Sequence, residues 1–381
     1  ASGNTYEALT APQTVAKGEP FIQVELGGGN FYFRPQNDVV LEAGNRYTYT
    51  VRVNATGLTL EGCTIGDWAD GGGENGEAGL SYIYDKETNT YTVYTADGLL
   101  AWNEAAQKDM TLNCTLADNI TLPAVAEDES NWTPIGTESR PYTGTFDGGT
   151  YTITGLTVNQ TRENVGLIGC IGSNGTVKNV KLENVNITGD GYFVGGVAGT
   201  NYGTIENCSV DGTLTNNRHY LGGVVGNNYG SIIGCSSSGT ITGTSPNVGG
   251  IGGQSVGGTI MACYSVANIK GRSSSGGVLG QTNRETVVIA CYHAKGNVTG
   301  EQSRMIGGVI GWNYGKVTAC YWENNQEQGI GENQAGTTFE TTKVTDGNWT
   351  NAVTQMNAAL QSAGSEWRYE LTGELPTLKK Q

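Results

Sequence analysis

Only two histidines, His219 and His293, occur in the 381 residues. No His-Glu-x-x-His zinc motif can therefore form, and any Ser-His-Asp triad would have to use one of these two. No cysteine pair stands at Cys-x-x-Cys spacing, so the usual signature of a thiolate metal site is missing. The nonapeptide of calcium-binding solenoids is absent too, although Asp-Gly pairs such as Asp147-Gly148 and Asp190-Gly191 occur. No metal and no cofactor are expected. No apolar run reaches 18 residues, so no transmembrane helix is expected, and Ala1 opens into a polar stretch with no visible leader. Basic residues are also scarce, with 21 Lys and Arg against 36 Asp and Glu and a net charge of -15. Without a basic stripe to neutralise phosphates, nucleic acid is not an expected partner.

What is abundant is glycine, at 60 residues, and it is periodic. A Gly-Gly-hydrophobic-x-Gly pentapeptide begins at Gly195, Gly222, Gly249, Gly276 and Gly307, with spacings of 27, 27, 27 and 31. Cys208, Cys235, Cys263, Cys291 and Cys320 keep step at 27, 28, 28 and 29. A fixed period of this length marks a solenoid, whose units cannot bury an apolar face alone and must stack. Val165 to Gly169 is an earlier copy, and its partner segment places Val180 in the cysteine slot. The slot therefore reads as apolar core, and the stacked cysteines read as free buried thiols. Each repeat reads as three short strands: the pentapeptide, a Gly-Thr-Ile to Cys segment, and a piece such as Gly239 to Gly243. The glycines are expected at corners that need positive φ and leave no room for a side chain.

Residues 1–79 differ in texture. Arg46 to Val53 alternates strictly, as a half-buried antiparallel strand does, and Phe31 to Phe33 and Leu58 to Leu60 read as further strands. Ala43-Gly44-Asn45 reads as a turn, and Gly71 to Gly76 as a loop before the second region, 80–381. That region opens with Tyr82 to Tyr84, a turn over Lys86 to Asn89, and Tyr91 to Tyr94. Helices over Gly98 to Lys108, capped by Thr95 or Asp97, and over Asn351 to Ser362, stopped by Gly364, are expected to cover the solenoid ends. Charge is unevenly spread: residues 1–139 carry 6 basic against 20 acidic residues, whereas 140–330 carry 11 against 10.

Gly222 to Ile232 and its sister copies resemble the GLUG motif, a repeat of bacterial surface adhesins and of some IgA-specific metallopeptidases; the peptidase zinc motif is absent. Tyr6 to Val15, Ala43 to Tyr49 and Ile65 to Trp68 resemble the later half of fimbrillin-like proteins, secreted lipoprotein subunits and tip proteins of fimbriae in Gram-negative anaerobes. The fold expected is all-β: a right-handed parallel β-helix with short capping helices, preceded by a small transthyretin-like β-sandwich. The resemblance implies a non-enzymatic adhesin or fimbria-associated protein, exported to the cell surface or outer membrane of a Gram-negative bacterium as a lipoprotein. Its implied partners are host or matrix glycans or proteins, and fimbrial subunits. A carbohydrate-active β-helix enzyme, a polysaccharide lyase or glycoside hydrolase, is the alternative, and a structural spacer is a third reading.

Two sets of tyrosines are the candidate ligand-binding residues. Tyr202, Tyr229 and Tyr314 recur in Asn-Tyr-Gly at one corner, where stacked rings with asparagine amides would suit sugar faces and hydroxyls; the same tripeptide also suits a plain turn. Tyr264, Tyr292 and Tyr321, with Trp322, follow the cysteines and include outward-facing aromatics. Glu183, Glu206, Asp211 and Arg218 are the groups an enzyme would draw on, but they show no recurring pair and read as scattered solvated charges. Both histidines read as structural.

Overall fold

The computed structural model describes the chain apart from residues 1–10, 27, 28, 36, 43–45, 55, 56, 67–76, 79, 127, 245, 302–304 and 335. The expected turn at 43–45, the loop at 71–76 and the ends of the first fimbrillin-like segments lie outside the described residues. Two compact units are present, Ala1–Leu99 and Leu100–Gln381.

The first unit is a small antiparallel β-sandwich. Ile22–Leu26 pairs with Gly29–Phe33, and the alternating strand Arg46–Asn54 pairs with Gly57–Gly66. Phe31 and Phe33 are buried, and the Phe21 ring meets Tyr49 edge-on at 5.0 Å. The hairpin Leu80–Asp85 and Thr90–Val93, expected to open the second region, belongs to this unit because Leu80–Asp85 pairs with Gly29–Phe33. Its turn is fixed locally: Asp85 accepts from the Glu87 amide at 2.9 Å and the Thr88 hydroxyl at 2.8 Å, and Asn89 takes a φ of 54°.

The second unit is a parallel β-solenoid, one of whose stacked sheets has seven strands, from Ile168–Ile171 to Ile330–Asn333. Along this face of the central coils register is unbroken: Ile205 pairs with Ile232, Ile232 with Ile260, and Ile260 with Val288. The coils holding Gly195 and Gly222 have four strands each rather than the expected three, because the pentapeptide is a corner and not a strand. In the coil holding Gly195 the strands are Phe193–Gly195, Ala198–Asn201, Thr204–Glu206 and Ser209–Asn216. The chain folds between the first two at Val197, which is buried with its counterparts Val224, Ile251, Val278 and Val309. None of the pentapeptide glycines has a left-handed φ, so space, not dihedral freedom, selects glycine there. A Cβ on Gly226 would stand 2.5 Å from the Val194 backbone nitrogen of the preceding coil.

The cysteine slot is core, as the valine indicated. Lys181 pairs with Ser209, which sets buried Val180 level with Cys208. Seven described cysteines are free and buried. Each thiol of the ladder turns back on its own corner, as Cys235 does on the Ile233 carbonyl at 3.3 Å. Burial pushes the Cys235 and Cys291 thiols well up, which keeps them protonated and inert.

Helix α1 (Ala96–Lys108) starts at Thr95, whose hydroxyl accepts the Gly98 amide at 3.3 Å. Its Trp102 is fully buried against Trp132, Tyr142 and Phe146 of the first coils. Helix α2 (Thr350–Ser362) buries Ala352, Met356 and Leu360 and ends at Gly364, φ 69°. The tail then forms a hairpin of Trp367–Glu370 and Thr377–Lys380. Together α2 and the hairpin cover the flank of the later coils, around Ala262, Ala290, Tyr292, Tyr321 and Trp349.

Candidate functional site

The Asn-Tyr-Gly corners divide into an inside and an outside. The asparagines are buried: Asn201 Nδ2 donates to Asn228 Oδ1 at 2.8 Å, and Asn313 Nδ2 donates to Asn333 Oδ1 at 2.8 Å. Each also closes its own turn, as when Asn201 Oδ1 accepts the Gly203 amide at 3.0 Å. The amides expected to greet sugar hydroxyls therefore serve the corner, because a buried amide must spend its donors and acceptors inside the fold. The tyrosines alone face out. Tyr202 and Tyr229 are 38% and 39% exposed and lie parallel, with ring centroids 4.6 Å apart and planes at 12°. Tyr314 is half-buried and instead meets Trp312, centroids 5.1 Å apart, within its own corner.

On the same two coils the structure adds a band of stacked rings that sequence reasoning missed. Tyr192 lies parallel to His219 at 5.6 Å, and Phe193 to Tyr220 at 5.3 Å, on the same two coils. The Arg218 guanidinium stands 5.5 Å over the Tyr192 ring. Burial raises the Tyr220 phenol, with smaller contributions from Tyr229 and Tyr192. The Tyr202 phenol is pushed up to about 12, chiefly by burial, so it remains a neutral hydrogen-bond donor throughout the physiological range. These rings follow no motif, since Pro246 and Asn247 stand at the same corner one coil later. The only signal was the local density of aromatics around 192–193 and 219–220.

The second tyrosine set, expected to include outward-facing aromatics, is largely covered. Tyr264, Tyr292 and Tyr321 are in register, and the Tyr264 and Tyr292 rings are parallel at 5.0 Å. Tyr292 and Tyr321 point away from the solenoid core into α2 and the terminal hairpin, and both are buried, Tyr292 completely. The Tyr292 hydroxyl donates to the Pro376 carbonyl at 2.6 Å. They are the seat of the cap and cannot be ligand-binding residues in this conformation. Trp322 is buried as well, and Tyr264, half-buried, is the member that still reaches open surface.

The charged candidates separate likewise. Glu206 holds Lys380 of the terminal hairpin at 2.7 Å, and Arg218 joins the aromatic band. Glu183 and Asp211, read as scattered, share one open groove of about 390 Å³ with Lys181 and Tyr264. His293 is fully buried, with Nε2 3.0 Å from the Ala267 carbonyl and Nδ1 2.8 Å from the Asn324 amide nitrogen, which assigns its proton to Nε2. Among the described residues no cluster of three or more His, Cys, Asp or Glu could hold a metal ion, and no helix is long and apolar enough to cross a membrane.

Comparisons with known proteins agree with this division. Residues 1–68 match the fimbrillin-like family model, and residues 190–215 and 217–242 match the GLUG motif. The chain thus carries a fimbrillin-like N-terminal segment followed by a GLUG-repeat β-solenoid. Halomucin of Haloquadratum walsbyi is 36% identical over 152 residues, which is 35% of this chain and 2% of that protein. A candidate Gly-rich membrane protein of Evansella cellulosilytica is 40% identical over 100 residues, 25% of this chain and 12% of that protein. The chain therefore spans only a small part of the curated relatives it matches. A crystal structure of a candidate immunoglobulin A1 protease from Bacteroides ovatus superposes with a TM-score of 0.56 at 18% identity, covering 76% of this chain and 92% of that one. At that identity the likeness concerns the fold alone.

Proposed function

We propose that the protein is a non-enzymatic adhesin or fimbria-associated protein, exported to the cell surface, that binds host or matrix glycans or proteins through one face of its solenoid. The observation that carries this reading is the exposed parallel stack of Tyr202 and Tyr229 with the band Tyr192, Phe193, His219 and Tyr220 beside it. Aromatic faces held at the corners of a rigid solenoid lose little entropy on binding, so they suit a flat, extended ligand. The fimbrillin-like segment and the GLUG repeats support attachment at a Gram-negative surface, with a lipid anchor and fimbrial subunits as partners. The test is an array of glycans and matrix proteins probed with the full chain and with Tyr202→Ala/Tyr229→Ala. Bound signals should fall at least tenfold in the variant, and cells expressing the protein without residues 140–330 should lose adhesion; retained adhesion would sink the reading.

The carbohydrate-active reading has one observation in its favour, the meeting of Glu183 and Asp211 in one groove. Shortening of polysaccharide chains by the wild type, abolished in Glu183→Gln or Asp211→Asn, would replace the adhesin reading with an enzymatic one.

A further inference from the structure

One outward column of the solenoid runs Lys181, Ser209, Ser236, Tyr264 on four successive coils in strict register. Coils stack about 4.8 Å apart, so the two long side chains bracket a gap of roughly 14 Å floored by two of the shortest polar ones. The neighbouring column supplies Asp211 and Ser238, also in register. A bulge between Leu182 and Val185, with Asn184 at φ 52°, tips Glu183 and Asn184 into the same space. The groove of about 390 Å³ is thus a notch cut by side-chain length along a ladder that is otherwise continuous.

Its chemistry is specific. Asp211 Oδ1 accepts the Ser238 hydroxyl at 2.6 Å, which orients the carboxylate and leaves its second oxygen open. Lys181 is tied to Glu183 at 2.6 Å, so the notch carries one cation against two carboxylates. The Tyr264 ring is fixed by its stack on the buried Tyr292 and closes one end as a rigid aromatic wall. Hydroxyls on the floor, an oriented acceptor at the side and an aromatic wall complement a pyranose, which offers vicinal hydroxyls and an apolar C–H face. The excess negative charge opposes uronates and sulfated sugars. We propose that this notch is a subsite for one or two residues of a neutral glycan. It deepens the reading of the chain as a binding protein, but at a place separate from the Tyr202–Tyr229 stack.

Saturation-transfer NMR on the full chain, with manno-, galacto- and gluco-configured trisaccharides as probes and trigalacturonate as the charged control, tests the assignment. At least one neutral trisaccharide should bind, with trigalacturonate at least tenfold weaker. Ser236→Trp, which fills the notch, should abolish that binding; Asp211→Ala should weaken it at least tenfold should the tryptophan variant not fold, as judged by circular dichroism. Absence of any neutral binding, a preference for trigalacturonate, or wild-type affinity in Ser236→Trp or folded Asp211→Ala would overturn the proposal. Binding lost in the double tyrosine variant yet kept in Ser236→Trp would place the glycan on the stack, ending this inference while leaving the adhesin reading intact.

Discussion

The residue before each corner cysteine, or its Val180 equivalent, adopts a left-handed backbone: Asn179, Asn207, Gly234, Ala262, Ala290 and Ala319 have φ between 50° and 66°. Asparagine and glycine tolerate this conformation, whereas each alanine carries a strain of roughly 1–2 kcal/mol. Their surroundings explain the choice. Asn207 lies in the open and donates to Asn179 Oδ1 at 2.8 Å, while Ala262, Ala290 and Ala319 meet the cap. Gly234 sits beneath Trp367, where a Cβ would stand 2.7 Å from the indole. Gly234→Asn keeps a residue suited to the backbone but collides with Trp367, so a loss of about 1–3 kcal/mol is expected in urea unfolding. His293 yields a pH prediction. Burial lowers its folded pKa to about 4, so as pH falls the unfolded chain takes up the proton first, from about 6.5. Its contribution is present above pH 6.5, declines as pH falls, and is lost by pH 4, a change of about 3 kcal/mol. The difference in urea midpoint between pH 7 and pH 4 should shrink in His293→Asn; an unchanged difference would count against this assignment.

At the scale of the coil, the inner asparagine ladder and the pentapeptide corner do separate tasks. Asn228 accepts from Asn201 at 2.8 Å and donates to the Gly230 carbonyl at 3.0 Å and to Ser255 Oγ at 3.3 Å. Asn228→Ala strands buried polar atoms in two coils, and a cost of about 2–3 kcal/mol is expected, visible as a lowered thermal midpoint. The coil itself was legible in the sequence because period and register are one property: Cys208, Cys235 and Cys263 recur at the spacing at which their flanking strands pair. Of what the glycines do, the lack of room for a side chain was legible and the positive φ was not borne out at the pentapeptide, since left-handed corners and close-approach corners share a residue type. Gly226 shows the second kind, and only coordinates separate them. The fate of Tyr292 and Tyr321 was equally hidden. Alternation shows that a side chain leaves the core, not that a helix later in the chain will cover it. The notch between Lys181 and Tyr264 escaped because it arises from unlike side chains in one column, which a search for recurrence passes over.

Across the second unit, stability is a sum of coil-to-coil contacts plus what the two helical caps cover. Removing residues 345–381 bares Tyr264, Tyr292 and Tyr321 together with Ala262 and Ala290, a contiguous apolar flank. The truncated chain is expected to bind a hydrophobic dye and to elute earlier than its mass on gel filtration; a monomer without dye binding would show that the flank needs no cover. The column of left-handed residues carries a further consequence. Coils lengthen and shorten in such proteins by duplication of whole repeats, yet here Gly234 to Ala319 mark where the tail must land. An extra repeat inserted before Glu206, which Lys380 of the hairpin holds, would merely lengthen the free part of the solenoid. One inserted between Gly234 and Ala319 would slide Trp367 off its glycine and Tyr369 off the Ala290 carbonyl it bonds at 2.9 Å. The tail thus acts as a ruler that fixes the copy number of the coils beneath it while leaving the others free to multiply.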